Sequence, residues 1–404
     1  MKFHYVLKER RLRNLAGINL MMFTWSLGNG ALWFLLPEIS DNISNSLLMA
    51  GILVAFPSFI SMMSDIPIGN LIKQASPKKI LVTGLLLFIL SGIAMPYAGT
   101  IGKFILFLFA IGILHELVYV PAIAYLITST EKKKAGEYMG ATMSSMHLGY
   151  ALGPIILGLI LNFFQNMEVQ LTGVFMTAMC SIALIPSLAL LKDIKTHPKA
   201  MHIKGKLRAS KQLIAEVFDF KHLKSVGLTL LFTTFLLTGY DGMIWMLEPV
   251  YGFKLGMSPL YVGLLLSAFT LPLILFQVPA GILADRYGRK KVMLFGLATA
   301  GLFTVLFGME KNPALMIAHA FMATLGLSMA WPAVDALVAK LNEKEDAGTI
   351  VGVWSSAKDL GYVIGPILGA GIAYFLNDIG GAFISTGLLF TVGAIVAGIY
   401  LKKD

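Results

Sequence analysis

Charge is what this sequence has least of. Of its 404 residues only 13% are Asp, Glu, Lys or Arg, against 57% hydrophobic, whereas a water-soluble chain carries about a quarter charged residues. So much apolar surface has no place in a single soluble core, but lipid accepts it. Cysteine is nearly missing too. Cys180 stands alone in an apolar run, so an intramolecular disulfide framework is impossible and no redox chemistry is suggested. The chain has no Gly-rich loop ending in Lys and Ser/Thr to cradle a phosphate, no metal-ligand spacing and no nucleophile–base set. ATP drive, a metal site, an organic cofactor and enzyme activity are therefore not expected. Arginine is missing from the whole stretch between Arg13 and Arg208.

What the chain does have is repeated apolar runs of about twenty residues, the length a helix needs to cross a bilayer. In hydrocarbon the backbone must satisfy itself, which leaves helices or closed barrels, and these runs are too long and too continuously apolar for barrel strands. Twelve candidate spans lie between roughly residues 13 and 401. The first follows a basic stretch (Lys8, Arg10, Arg11, Arg13) and continues to Leu36 without a small-residue cleavage site. It reads as a retained span, not a signal peptide. An even number of spans puts both termini on one side. With that side cytoplasmic, 28 of the 32 Lys and Arg lie on it. Only Lys103, Lys254 and Lys311 fall opposite, and Lys358 falls inside a span. This is the positive-inside asymmetry of a protein in the cytoplasmic membrane. The net charge of +10 is then topology with some attraction to anionic lipid, and nucleic acid is not an expected partner.

The chain also repeats itself at an offset of 212 residues. Asn29-Gly30, Trp33 and Pro37 recur as Asp241-Gly242, Trp245 and Pro249, and Gly69-x-Leu71 recurs as Gly281-x-Leu283. Gly140, Gly149 and Gly153-Pro154 recur as Gly352, Gly361 and Gly365-Pro366. The expected architecture is all-α and integral to the membrane: twelve transmembrane helices in two pseudo-symmetric six-helix bundles, 1–191 and 225–404. Residues 192–224 join them and hold nine Lys or Arg. Within this linker Ser210 can cap a short helix with Leu213, Ile214, Val217 and Phe218 on one face; a merely solvated linker is the other reading.

One stretch organises the rest: Gly281-Ile282-Leu283-Ala284-Asp285-Arg286-Tyr287-Gly288-Arg289-Lys290-Lys291. Flanked by apolar runs, it predicts a tight, charged cytoplasmic turn. Gly288 allows φ > 0, and Asp285 suits the positive N-terminal end of a neighbouring helix. The order of residues resembles the loop motif of the major facilitator superfamily. In that family the loop steadies one arrangement of the helices, a role the resemblance implies for Gly281, Asp285, Arg286, Gly288 and Arg289. The first-half copy is broken, with Lys73, Gln74 and Ser76 where Asp, Arg and Gly are expected. The fifth span, with Gly140, Gly149, Gly153, Pro154 and Gly158, resembles the superfamily's antiporter motif, with Leu157 as the departure. Gly149 and Gly153 share a helix face and admit a close neighbour, and Pro154 favours a kink. The same pattern in the eleventh span weakens it as a signal of direction.

Ionisable groups inside spans cost several kcal/mol unless paired or hydrated, so each is a candidate. Asp241 stands opposite Asn29 by pseudo-symmetry, and a structural hydrogen bond is its bland alternative. His115 and Glu116 lie mid-way in the fourth span. Consecutive residues point about 100° apart, and Glu116 is preferred as the one facing the cavity that this fold places between spans 1, 4, 7 and 10. The arginine usual to the family in this span is absent. Lys358 and Asp359 lie at the level of His147. Asp241, Glu116 and Asp359 are the candidates for proton coupling, and Asn29, Trp33, Trp245, His115, His147 and Lys358 are those for the substrate cavity. Asp65, Glu248 and Asp335 lie near span ends, where water or loop lysines would reach them. His319 reads as a core histidine.

The resemblance implies a secondary active transporter working by alternating access, similar to the drug:proton antiporter branch, with protons as coupling ion. Export of small amphipathic or lipophilic compounds is the first expectation, by a monomer. Proton-coupled import of a sugar, organic acid or other small metabolite is the second, and a non-transporting receptor or scaffold the third.

Overall fold

The computed structural model describes residues 2–72, 74–129, 135–164, 166–193, 225–342 and 347–400. Lys73 and the linker from 194 to 224, with its expected surface helix, lie outside the described residues. The helices are α1 Lys2–Ser44, α2 Leu47–Leu71, α3 Pro77–Ala94, α4 Ile101–Ser129, α5 Ala135–Phe163, α6 Glu168–Ala189 and α7 Ser225–Lys254. Then follow α8 Pro259–Ala268, α9 Leu271–Tyr287, α10 Arg289–Met309, α11 Pro313–Asn342, α12 Ala347–Leu376 and α13 Ile379–Tyr400. Among the described residues there is no strand. Among the described residues eleven stretches are long and apolar enough to cross a bilayer, α8 and α9 together making one. With α1 they form the twelve-helix membrane fold.

The eighth span is interrupted: its helix breaks at Phe269 and Thr270, just ahead of Pro272. A proline lacks the amide hydrogen and crowds the preceding turn, so the ladder is interrupted there. Elsewhere proline marks starts, since α3, α8 and α11 open on Pro77, Pro259 and Pro313, where the missing donor is unneeded. Pro37, Pro67, Pro121, Pro154, Pro249 and Pro366 sit inside helices, and neighbouring spans make this tolerable in lipid.

The helix ends repeat the internal symmetry. Asn45 after α1 and Gly256 after α7 both have positive φ (50° and 74°), as do Asn166 after α5 and Asn377 after α12 (62° and 52°). Left-handed residues of this kind close a helix, and both pairs obey an offset of 211. At the α10–α11 turn, the backbone amides of Lys311 and Asn312 donate to Glu310 at 2.9 Å each, which holds its carboxyl below the usual range.

The chain divides into two compact units. The first is Met1–Met49, Phe56–Lys199 and Gly256–Ser267; the second is Ala50–Ala55, Ala200–Leu255 and Ala268–Asp404. In the first, Trp25 is wholly buried with its ring 6.0 Å from Phe88 in an edge-on contact. α8 belongs to this unit. A Cβ on Gly263 would strike the Pro154 carbonyl, and Ser267 donates to the Ala151 carbonyl. In the second, Phe307 and Phe383 lie 4.7 Å apart and Tyr240 and Phe390 4.9 Å. Tyr240 is tied to Thr304 at 2.7 Å. Exposed large side chains such as Leu90, Leu106, Ile185, Val278, Phe295 and Ile399 are the surface that lipid covers.

Candidate functional site

In the first unit the expected site residues meet. α4 presents His115 and Glu116, and their side chains bond to each other, Nδ1 to Oε1 at 2.8 Å. Their Cα–Cβ vectors diverge by about 100°, but both side chains are long enough to bend together. Glu116 also accepts from Ser61 of α2 and is hydrogen-bonded to Asp65. Two carboxyl groups can share such a bond only if one carries a proton. On the other side of the ring, Tyr150 of α5 has its hydroxyl 3.4 Å from His115 Nε2 and receives the Asn29 amide of α1 at 2.6 Å. A polar chain thus runs from Asn29 through Tyr150, His115 and Glu116 to Ser61 and Asp65, across four helices. Trp25 and Tyr119 flank the imidazole, with ring centres at 5.2 and 5.8 Å.

This geometry adds detail to two readings. Glu116, preferred as the cavity-facing residue, is the more buried of the pair, with side-chain exposure of 7% against 26% for His115. Asp65 is exposed, as expected of an acid that water reaches, and it is also a member of the network. Depth along a helix is legible in sequence, but the neighbour across from it is not. His147, three residues before Tyr150, is half-buried and makes no hydrogen bond among the described residues. Trp33 is half-buried on α1.

In the second unit Asp241 of α7 is hydrogen-bonded by Trp245, one turn on, and by Tyr362 of α12. Lys358 of α12 lies over two indole faces, Trp354 at 4.5 Å and Trp331 at 5.3 Å. An ammonium over an aromatic face is attracted by the negative side of the ring quadrupole. Trp354 in turn donates to Thr234 of α7 at 3.1 Å. Asp335 of α11 feels the Lys358 charge and leaves Oδ1 buried and unbonded among the described residues. Asp359, next to Lys358 in the chain, is half-buried. Glu248 departs furthest from expectation. It was placed within reach of water, yet it is 0% exposed and among the described residues neither carboxyl oxygen has a hydrogen-bond donor.

The two motifs divide by contact. In the loop, Gly288 has φ +98°. Arg289 bonds Asp285 at 3.3 Å and donates to the Ala336 carbonyl at the end of α11 at 3.2 Å. Arg286 lies over the Tyr287 ring at 5.5 Å. The part of the motif that survives in both halves does one job in each. Lys290 donates to the Gly398 carbonyl of α13 at 2.7 Å, and Lys78 to the Leu191 carbonyl beyond α6 at 2.6 Å. On α5, Cβ atoms at Gly149 and Gly153 would strike α1 backbone at Phe23 and Leu27, and one at Gly158 would strike Pro259; Gly140 and Gly281 lie in open or loose surroundings. On α12, Gly361 and Gly365 face Thr238 and Gly239 in the same way.

The profile of the major facilitator superfamily matches residues 18–254 and 230–404. The chain belongs to that superfamily. This transporter is 26% identical over 291 residues to a multi-drug resistance efflux pump PmrA homolog of Lactococcus lactis, covering 70% of this chain and 69% of that one. It is 22% identical over 364 residues to an uncharacterized MFS-type transporter of Methanocaldococcus jannaschii, covering 88% and 90%. Among solved structures, the nucleoside transporter NupG (D323A mutant) superposes with a TM-score of 0.74 over 96% of this chain and 98% of that one at 13% identity, a likeness of fold alone.

Proposed function

We propose that this protein is a proton-coupled exporter of small amphipathic or lipophilic compounds, a secondary active transporter in which two six-helix halves expose a midplane site alternately to each side of the cytoplasmic membrane. The observation that carries the reading is the chain from Asn29 to Asp65. It places a histidine, two carboxyl groups, a phenol and a hydroxyl in contact inside a membrane domain, where unpaired charge is costly and where such chains move protons. In the second half Asp241 is the matching carrier, an acid where the first half has the neutral Asn29. Export follows the name of the efflux relative and the close α1–α5 packing at Gly149 and Gly153. Both termini are assigned to the cytoplasm by the distribution of Lys and Arg.

Lys358 favours a second reading. A cation held open between two tryptophans is an anchor for a carboxylate, as an importer of an organic acid would need. Purified protein in liposomes with an imposed pH gradient separates the two. For the exporter, a lipophilic fluorescent cation is driven against its gradient by protons moving the opposite way. Protons entering together with an organic acid, and no movement of the cation, would reverse the assignment.

A further inference from the structure

The carrier acid of α7 is not alone on its helix face. Thr234, Thr238, Asp241, Trp245 and Glu248 follow one another at alternating steps of four and three residues, and such steps keep side chains on one stripe. The stripe is polar where a span is otherwise apolar. Thr234 receives the Trp354 indole, Thr238 lies against Gly361, and Asp241 is bonded by Trp245 and Tyr362. Glu248 ends the stripe about 10 Å further along the axis from Asp241, 0% exposed, with both oxygens lacking a donor among the described residues. Its pseudo-symmetric counterpart at the 212-residue offset is Leu36, itself wholly buried. The packing at this level therefore accepts a leucine, and nothing in the fold demands an acid there.

We propose that Glu248 is a second proton-binding site of this transporter, serving in series with Asp241 along α7. This rests on the proton-coupled reading and deepens it, assigning two exchangeable protons to the second half. A carboxylate ion with neither oxygen bonded cannot be held in that environment, so the resident form is the neutral acid. The surrounding charges support this. On α12, Tyr362 is bonded to Asp241 and Lys358 lies over two indoles. On α11, Asp335 feels the Lys358 charge and His319 acts on Glu310. Asp378 and Glu310 act on Tyr251. Among the described residues neither Glu248 oxygen is hydrogen-bonded to any of them. Trp245 stands between the two acids and is a donor only, so they load as separate sites and not as one shared-proton pair. The proton leaves Glu248 when α7 shifts and water reaches the carboxyl, and it returns from the opposite side of the cycle.

The test needs no substrate. Full-length protein reconstituted in lipid is titrated with alkali while the infrared carbonyl stretch of protonated carboxyl groups is followed. Wild type should show a component that disappears with rising pH, is missing in Glu248→Gln and persists in Asp241→Asn. In Asp241→Asn this component should also deprotonate at lower pH, because a neighbouring negative charge has been removed; that variant keeps the question open to test if Glu248→Gln does not fold. Identical spectra for Glu248→Gln and wild type, or a Glu248 component that persists unchanged to the alkaline limit, would overturn the proposal. If the liposome assay shows gradient-driven transport while this component is missing, only the second site is lost. If the component titrates but no gradient drives transport, the coupling reading fails and Glu248 stands as a buried acid without that role.

Discussion

At the scale of single residues, the network around His115 separates a proton path from mere structural bonding. Glu116 exchanges bonds with three neighbours, so Glu116→Gln keeps the shape and removes the exchangeable proton. Gradient-driven transport should be abolished, while ligand-induced thermal stabilisation, which reports binding, stays within error of wild type. Tyr150→Phe takes away one hydroxyl, worth about 1 kcal/mol and so about fivefold in rate, and it also leaves the Asn29 amide with less to bond. A Glu116→Gln protein that still accumulates solute down a pH gradient would remove this residue from the mechanism. Sequence reading reached His115, Glu116 and Asn29 because a polar group in an apolar run is conspicuous. It missed Ser61, Asp65 and Tyr150. A serine or tyrosine inside a span carries no such signal, and only helix packing reveals which of them meets the acid.

At the scale of helices, the glycine motif of α5 comes apart into residues with different duties. Gly149 and Gly153 admit the α1 backbone, whereas a Cβ at Gly140 meets nothing within 4 Å. Gly153→Ala must push two helix backbones apart, and overpacking of this kind costs about 1–3 kcal/mol. Gly140→Ala only stiffens an exposed helical position and should stabilise by about 0.5–1 kcal/mol. Thermal unfolding in detergent should therefore move in opposite directions for the two variants. Equal losses would mean that the spacing acts as a unit. Span number, the repeat and the positive φ at Gly288 were all legible in the sequence, because lipid thickness and a missing Cβ leave little choice. The break at Phe269 and Thr270 was not, since Pro272 falls in a run as apolar as those around Pro154, where the helix continues. The burial of Glu248 was hidden likewise, because distance from a helix end says nothing about what covers the side.

At the scale of the whole molecule, the asymmetry of Lys and Arg makes a claim about direction that helix packing alone leaves open. Lys78 and Lys290 each close the end of the sixth span of their own half by bonding its last carbonyls, cations at helix C-termini where the dipole favours them. The distribution of Lys and Arg assigns both to the basic face, together with the exposed Lys291, and assigns Lys311, exposed just ahead of α11, to the other. The single cysteine makes this testable, because Cys180 is wholly buried and Cys180→Ala gives a silent background. In intact cells a membrane-impermeant maleimide should label Lys311→Cys directly and Lys291→Cys only after permeabilisation. The reverse pattern would put the charged loop outside. The direction assigned to proton flow through Asp241 would then invert with it, since the same stripe of α7 would deliver its protons to the opposite compartment.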